Sequence, residues 1–144
     1  MKYHKQQGFT IVELLVVIVV IGILAAITVV SYTGITTKAN TAANQQNASS
    51  VQSAVATKFA ESSAYPAWGT DSAATLTAIN AGVSKVPATI LLLNGDITAA
   101  GAGIGYRVVG TTGVCVSYWD YSVPAARYLG VGTVTVAADR STCS

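Results

Sequence analysis

Charge is scarce in this chain: 144 residues carry eight Lys or Arg and six Asp or Glu. Lys2 and Lys5 precede Gly8, and beyond them six basic side chains stand against six acidic ones. A near-neutral chain has no general electrostatic attraction for nucleic acid or anionic lipid. Histidine is scarcer still. The only one is His4, at the extreme N-terminus, so the body of the chain has no imidazole for general-base or metal work. Asp96, Asp120 and Asp139 are scattered, without the loop spacing of a calcium site. Gly101-Ala102-Gly103-Ile104-Gly105 superficially resembles a phosphate cradle. No clear helix follows it and no Lys-Ser/Thr pair accompanies it, so it reads as a loop. No catalytic residue, metal site or cofactor is expected, and the chain is read as not an enzyme.

Cysteine is limited to Cys115 and Cys143, both in the C-terminal half. Outside the cytoplasm such a pair favours a disulfide; inside it, two free thiols are the default. Topology therefore decides the cysteine chemistry. If oxidised, the bridge pins the C-terminal tail to the sheet, and the chain-entropy model gives about 3–4 kcal/mol for a loop of this length. Proline is absent from residues 31–60, which leaves a helix free to run through them.

One feature is abundant. From Leu14 to Val30 every residue is apolar except Gly22 and Thr28. Counted from Phe9, the stretch is about 22 residues, or roughly 33 Å as a helix, enough to cross a hydrocarbon core of about 30 Å. No polar stripe marks a soluble core helix. Lys2, Lys5 and the initiator amine precede the run, and only Lys38 follows it closely. The positive-inside bias places the N-terminus in the cytoplasm and the C-terminal domain outside. A secretory signal peptide, with Leu24-Ala25-Ala26 as a loose cleavage site, is disfavoured by Glu13 near the start of the run. A plain bitopic anchor, with Glu13 near the headgroups, is the other bland reading.

The junction Gly8-Phe9-Thr10-Ile11-Val12-Glu13-Leu14-Leu15-Val16-Val17, behind a short basic leader, resembles the N-terminus of type IV pilins and their pseudopilin relatives. The resemblance covers about the first 30 residues; the rest is similar in layout alone. It implies cleavage between Gly8 and Phe9 by a prepilin peptidase, N-methylation of the new Phe9 amine, and a role for Glu13 in packing subunits into a helical filament. It also implies an α+β fold: a long N-terminal α-helix, membrane-spanning in its first half, packed on a small antiparallel β-sheet head domain. Many pilins carry Pro where this chain has Val30, so a proline-associated break is not expected, although Gly22 can weaken the helix locally.

Physical chemistry supports the implied role of Glu13. A carboxylate at the centre of a membrane helix costs about 2.5–3.5 kcal/mol, and less near the end of the span. Cleavage frees a Phe9 amine that is mostly cationic at neutral pH. Within one helix the macrodipole alone favours Glu13 near the N-terminus. The sharper expectation pairs Glu13 of one subunit with the Phe9 amine of a neighbour. On this reading Glu13 has no evident partner in the chain until the cut is made.

Four regions are expected: a leader peptide over 1–8, the transmembrane and assembly half of the helix over 9–30, its amphipathic half over 31–60, and a globular domain over 61–144. Ala48, Val51, Val55 and Phe59 form an apolar stripe that packs on the sheet. Asp71 to Ala81 holds a short helix capped by Asp71 or Ser72, with Leu76 and Ile79 inward. Strands are expected at Thr89–Leu93, Tyr106–Val109, Val114–Trp119, Arg127–Val131 and Thr133–Ala137, antiparallel because the connections are too short for crossover helices. Asn94-Gly95 is a hairpin signal that either joins two strands or ends one. Tyr118, Trp119 and Tyr121 with Arg127 form a candidate stacking surface for DNA or sugar, against which packing of a small sheet weighs more heavily.

The leading functional reading is a filament subunit of a type IV pilus-like structure. Its partners are other pilin subunits in a helical homo-oligomer, the prepilin peptidase and methylase, the pilus assembly machinery, and the membrane while monomeric. Nothing in the sequence supports a nucleic-acid partner. The expected location is the cytoplasmic (inner) membrane as a single-pass protein, then the cell surface. The alternatives are a pseudopilin of a type II secretion or DNA-uptake machine, and a membrane-anchored extracellular binding domain that does not polymerise.

Overall fold

A computed structural model describes residues 8–81, 86–101 and 103–144. The leader positions Lys2, His4 and Lys5, and Ala102 of the glycine-rich loop, lie outside the described residues. The order of elements is α1 (Ile11–Ser62), α2 (Ser72–Ile79), β1 (Leu92–Asn94), β2 (Ile104–Val109), β3 (Gly113–Asp120) and β4 (Ala125–Gly132). The fold is α+β. The chain divides between Thr36 and Thr37 into two compact units, with α1 contributing to both.

In the first unit, helical structure runs through Gly22 and Gly34 without interruption. No large apolar side chain between Phe9 and Ile35 is less than 49% exposed. The few polar side chains here turn back onto the helix. Thr28 donates to the Ala25 carbonyl at 2.9 Å, Ser31 to Ile27 at 3.1 Å and Thr33 to Val30 at 3.0 Å. Thr36 donates to the carbonyls of Tyr32 and Thr33. Such back-bonding pairs these Ser and Thr hydroxyls on an apolar surface.

In the second unit α1 buries Asn44, Ala48, Val51, Ala54 and Val55. The spacing of Asn44, Ala48, Val51 and Val55 keeps them on one helix face. That face packs with Leu92 of β1, Ile104 and Tyr106 of β2, Val114, Val116 and Tyr118 of β3 and Val131 of β4. Phe59 departs from the expected stripe. It is 37% exposed and stacks on Tyr65, ring centroids 4.3 Å apart. The helix stops where Ser63 takes φ 53° while its N–H still reaches the Phe59 carbonyl; Pro66 follows. α2 forms as expected: Asp71 is its N-cap and accepts from the Ala74 amide at 2.8 Å. Leu76 and Ile79 point into the core.

The sheet has the order β1-β2-β3-β4. β2, β3 and β4 are antiparallel neighbours, whereas β1 pairs with β2 in parallel, Leu92 opposite Ile104. The antiparallel expectation is therefore corrected to a mixed sheet. β1 has only three residues, so the chain retraces roughly 10 Å before β2 begins, and the loop between the strands covers that distance without a helix. Gly95, at φ +93°, ends β1 and forms no two-residue hairpin. β2 begins at Ile104, inside the stretch expected to be loop. Thr133–Ala137 is not a strand of this sheet. Gly132, at φ +85°, turns the chain out of β4, and the segment pairs instead with the tail through the isolated bridge Val136↔Cys143.

The outer face of the sheet is covered too. A Cβ on Gly105 would lie 2.6 Å from the Gly95 carbonyl oxygen and 2.9 Å from the Ile97 nitrogen. The loop after β1 therefore lies directly on this glycine. A Cβ on Gly130 would lie 2.8 Å from methyl groups of both Val134 and Val136. Two interactions fix the periphery. The Tyr106 hydroxyl, deep in the core, donates to the Pro66 carbonyl at 2.5 Å, and burial raises its pKa above the usual tyrosine range. Asp120 caps the β3–β4 turn, accepting from the Ser122 amide at 2.8 Å and the Thr41 hydroxyl at 3.2 Å.

Two outcomes follow. Gly105→Ala presses a methyl group onto backbone that cannot move independently, and is expected to destabilise the second unit by about 1–3 kcal/mol, read as a lower Tm. Burial pushes the Asp120 carboxyl up, but the Ser122 and Val123 amides, the Thr41 hydroxyl and Arg127 outweigh it and hold it below its ordinary value. Stability from a lowered carboxyl is present at neutral pH and lost as pH falls through its folded value. Asp120→Asn should lower Tm at pH 7, and the difference from the native chain should shrink below about pH 4.

Candidate functional site

The expected processing and assembly residues fall at the start of α1. Gly8, Phe9 and Thr10 are non-helical, and the helix opens at Ile11. Thr10 is its N-cap and Glu13 its third residue. The Thr10 amide donates to Glu13 Oε2 at 2.8 Å, and the Thr10 hydroxyl donates to the same oxygen at 2.7 Å. In return the Glu13 amide approaches Thr10 Oγ1 at 3.2 Å. The first helical bond, Leu14 N–H to the Thr10 carbonyl, is 3.3 Å long. This is a capping box: the two side chains satisfy amides that a helix start leaves unpaired. The helix dipole adds a favourable term for a carboxylate at this position.

Thr10 is the residue that the sequence reading missed. Its signal was present, since Thr10-x-x-Glu13 ahead of an apolar run is the pattern of a capping box. Its presence corrects one expectation. Glu13 has a partner without any cut after Gly8, because Thr10 supplies two donors from the same chain. Both donors land on Oε2. Phe9 is 90% exposed, and Gly8 has no heavy atom beyond its chain neighbours within 4 Å of the place a Cβ would occupy. The junction is thus open, followed by an apolar helix with one anchored charge. Ile11–Ser62 contains a segment long and apolar enough to cross a membrane, none of it buried.

The other candidates resolve differently. Cys115 and Cys143 are joined in a disulfide with Cα atoms 6.1 Å apart. The aromatic surface is not assembled. Tyr118 is buried in the core, and Arg127 lies 3.5 Å from Asp120. Gly103 to Gly105, the end of the supposed phosphate loop, is buried against β1 and the loop that follows it. A cleft of about 430 Å³ beside α2 is lined by Ala73, Leu76, Thr77, Asn80, Ala81 and Ala88, with no ionisable group among the described residues.

Loss of the cap is expected to fray the helix start. Thr10→Ala should cost about 1 kcal/mol locally, measured in detergent micelles as faster hydrogen exchange at the Glu13 and Leu14 amides, with no change in the second unit.

Residues 3–29 match the family model described as the prokaryotic N-terminal methylation motif. The match spans the Gly8–Phe9 junction, the capping box and most of the apolar run, so the chain carries the prepilin-type signal shared by type IV pilins and pseudopilins. No solved structure matches the chain. A long helix whose second half packs on a small four-stranded sheet is a type IV pilin-like architecture.

Proposed function

We infer that this chain is a pilin: a structural subunit cut after Gly8, N-methylated at Phe9, and polymerised into a surface filament through α1. The observation that carries this reading is the pairing of an exposed, uninterrupted apolar helix with a single carboxylate at its mouth, inside a matched N-terminal methylation motif. A helical stretch whose apolar side chains are exposed among the described residues, as they are from Phe9 to Ile35, needs lipid or other helices around it. In the membrane, lipid serves. In a filament, equivalent helices from other copies do so.

Glu13 gives such a bundle its register. Apolar helices slide past one another at little cost, because one methyl-lined contact resembles the next. A carboxylate that must meet a cation removes that freedom, since only one stagger brings the two together in a low-dielectric setting. The Phe9 amine freed by cleavage is the cation proposed. The proposed leader over residues 1–8 would keep that amine blocked as a peptide, and Lys2 and Lys5 would hold the N-terminus on the cytoplasmic side. The second unit would then project outside, where its disulfide persists.

Glu13→Val should leave the amount of membrane-inserted chain unchanged and reduce filaments to a small fraction of normal. The assay is electron microscopy of sheared surface material, probed for this chain. Normal filaments from Glu13→Val would refute the register role. In native material, abundant labelled filaments support a filament subunit. Labelled membrane without filaments would favour a pseudopilin or an anchored binding domain.

A further inference from the structure

We propose that Arg107 is the positioning residue for the Cys115–Cys143 disulfide, holding Cys143 over Cys115 whether or not the sulfurs are bonded. The sheet register places Arg107 of β2 directly opposite Cys115 of β3. On the other flank Cys115 faces Gly130 of β4, which has no side chain to fill the space the tail needs. The guanidinium reaches across the outer face in two directions. Nη2 donates to the Cys143 carbonyl at 2.8 Å, and Nε donates to Asp96 Oδ1 at 3.0 Å. The residue that grips the backbone of one cysteine is therefore the cross-strand neighbour of the other.

The tail has further contacts of its own. Thr135 and Ser144 exchange backbone hydrogen bonds at 2.7 and 3.0 Å, and the Ala137 amide donates to the Thr142 carbonyl at 3.1 Å. The Tyr128 amide donates to the Arg140 carbonyl at 2.9 Å, and Arg127 Nη1 to the Asp139 carbonyl at 2.8 Å. These bonds fold residues 135–144 and tie them to β4. Besides the Val136↔Cys143 bridge, the Arg107 fork grips Cys143 itself through its carbonyl, and as a charge-assisted bond it is stronger than a neutral one. With the sulfurs reduced, it keeps the two residues at a separation a disulfide accepts.

The chemistry is thiol–disulfide exchange with an external disulfide as oxidant. One thiolate of the pair attacks that disulfide, forming a mixed disulfide and releasing one thiol. The other thiolate displaces the second half, forming the Cys115–Cys143 bond and releasing a second thiol, so two electrons pass to the oxidant. A docked Cys143 favours the second step over loss of the mixed disulfide.

The test uses the full chain in detergent micelles, equilibrated with glutathione and glutathione disulfide, with alkylation and mass spectrometry to count dithiol, mixed disulfide and closed forms. Arg107→Ala is expected to shift the equilibrium about tenfold or more towards the dithiol, the scale of a lost charged hydrogen bond. A side chain that merely stabilised the folded unit would leave this equilibrium unmoved wherever both forms are folded, as circular dichroism verifies. An unchanged equilibrium in Arg107→Ala would overturn the proposal. A second readout needs no substitution. In the reduced native chain the Thr135 and Ser144 amides should stay protected from hydrogen exchange, and their exchange at the rate of an open tail would equally overturn it.

Discussion

An unpaired hydrogen-bonding group in an apolar setting costs on the order of 2–7 kcal/mol, and a bare charge more. α1 shows how this chain meets that constraint along one helix. At its start the Glu13 carboxylate rests on the amide and hydroxyl of Thr10. Further on, Thr28, Ser31, Thr33 and Thr36 return their hydroxyls to carbonyls of the preceding turn. In the second unit Asn44, buried under the sheet, donates to the carbonyls of Gly101 and Trp119, and Ser117 accepts from the Ile97 amide. Among the described residues no buried side-chain nitrogen or oxygen lacks a partner. A helix built this way tolerates lipid, other helices or a sheet along its length.

The capping box changes what cleavage after Gly8 would accomplish. Glu13 does not wait unpaired in the membrane for a cation. Thr10 engages one oxygen of its carboxylate, so the other oxygen could accept a neighbour's amine without undoing the cap. The charge is thereby made tolerable in the single chain and remains available to an assembly. On this account the new amine adds a second partner rather than the first, which makes the register interaction a matter of geometry as much as of charge rescue.

Much of this was legible in the residues. The apolar run, the Ala48–Val51–Val55 stripe, the Asp71 cap and three of the strands follow from periodicity and local chemistry, because each depends on neighbours close in sequence. What escaped reading depends on distant parts. Nothing local in Leu92–Asn94 shows that it pairs in parallel with β2. Nothing local in Thr133–Ala137, which alternates like a strand, shows that Gly132 turns it away from the sheet edge. Gly105 was expected in a loop yet lies within β2, and Gly130 lies within β4 as expected; at both, a side chain would strike the covering loop or the tail, which no local pattern shows. Thr10 was a different case. Its capping box with Glu13 depends on residues three apart, and Thr10-x-x-Glu13 ahead of an apolar run spells it locally.

The central claim is that Glu13 of one copy meets the freed Phe9 amine of another inside an assembled bundle. Solid-state NMR tests it directly on filaments grown from two batches of chain, one labelled with 15N at the Phe9 amine and the other with 13C at the Glu13 carboxyl. The account requires a dipolar contact between the two labels, at the separation of an ion pair, about 4 Å or less. Because the labels reside in different chains, only an intermolecular pair can give it. Filaments that form and show no such contact would contradict the account.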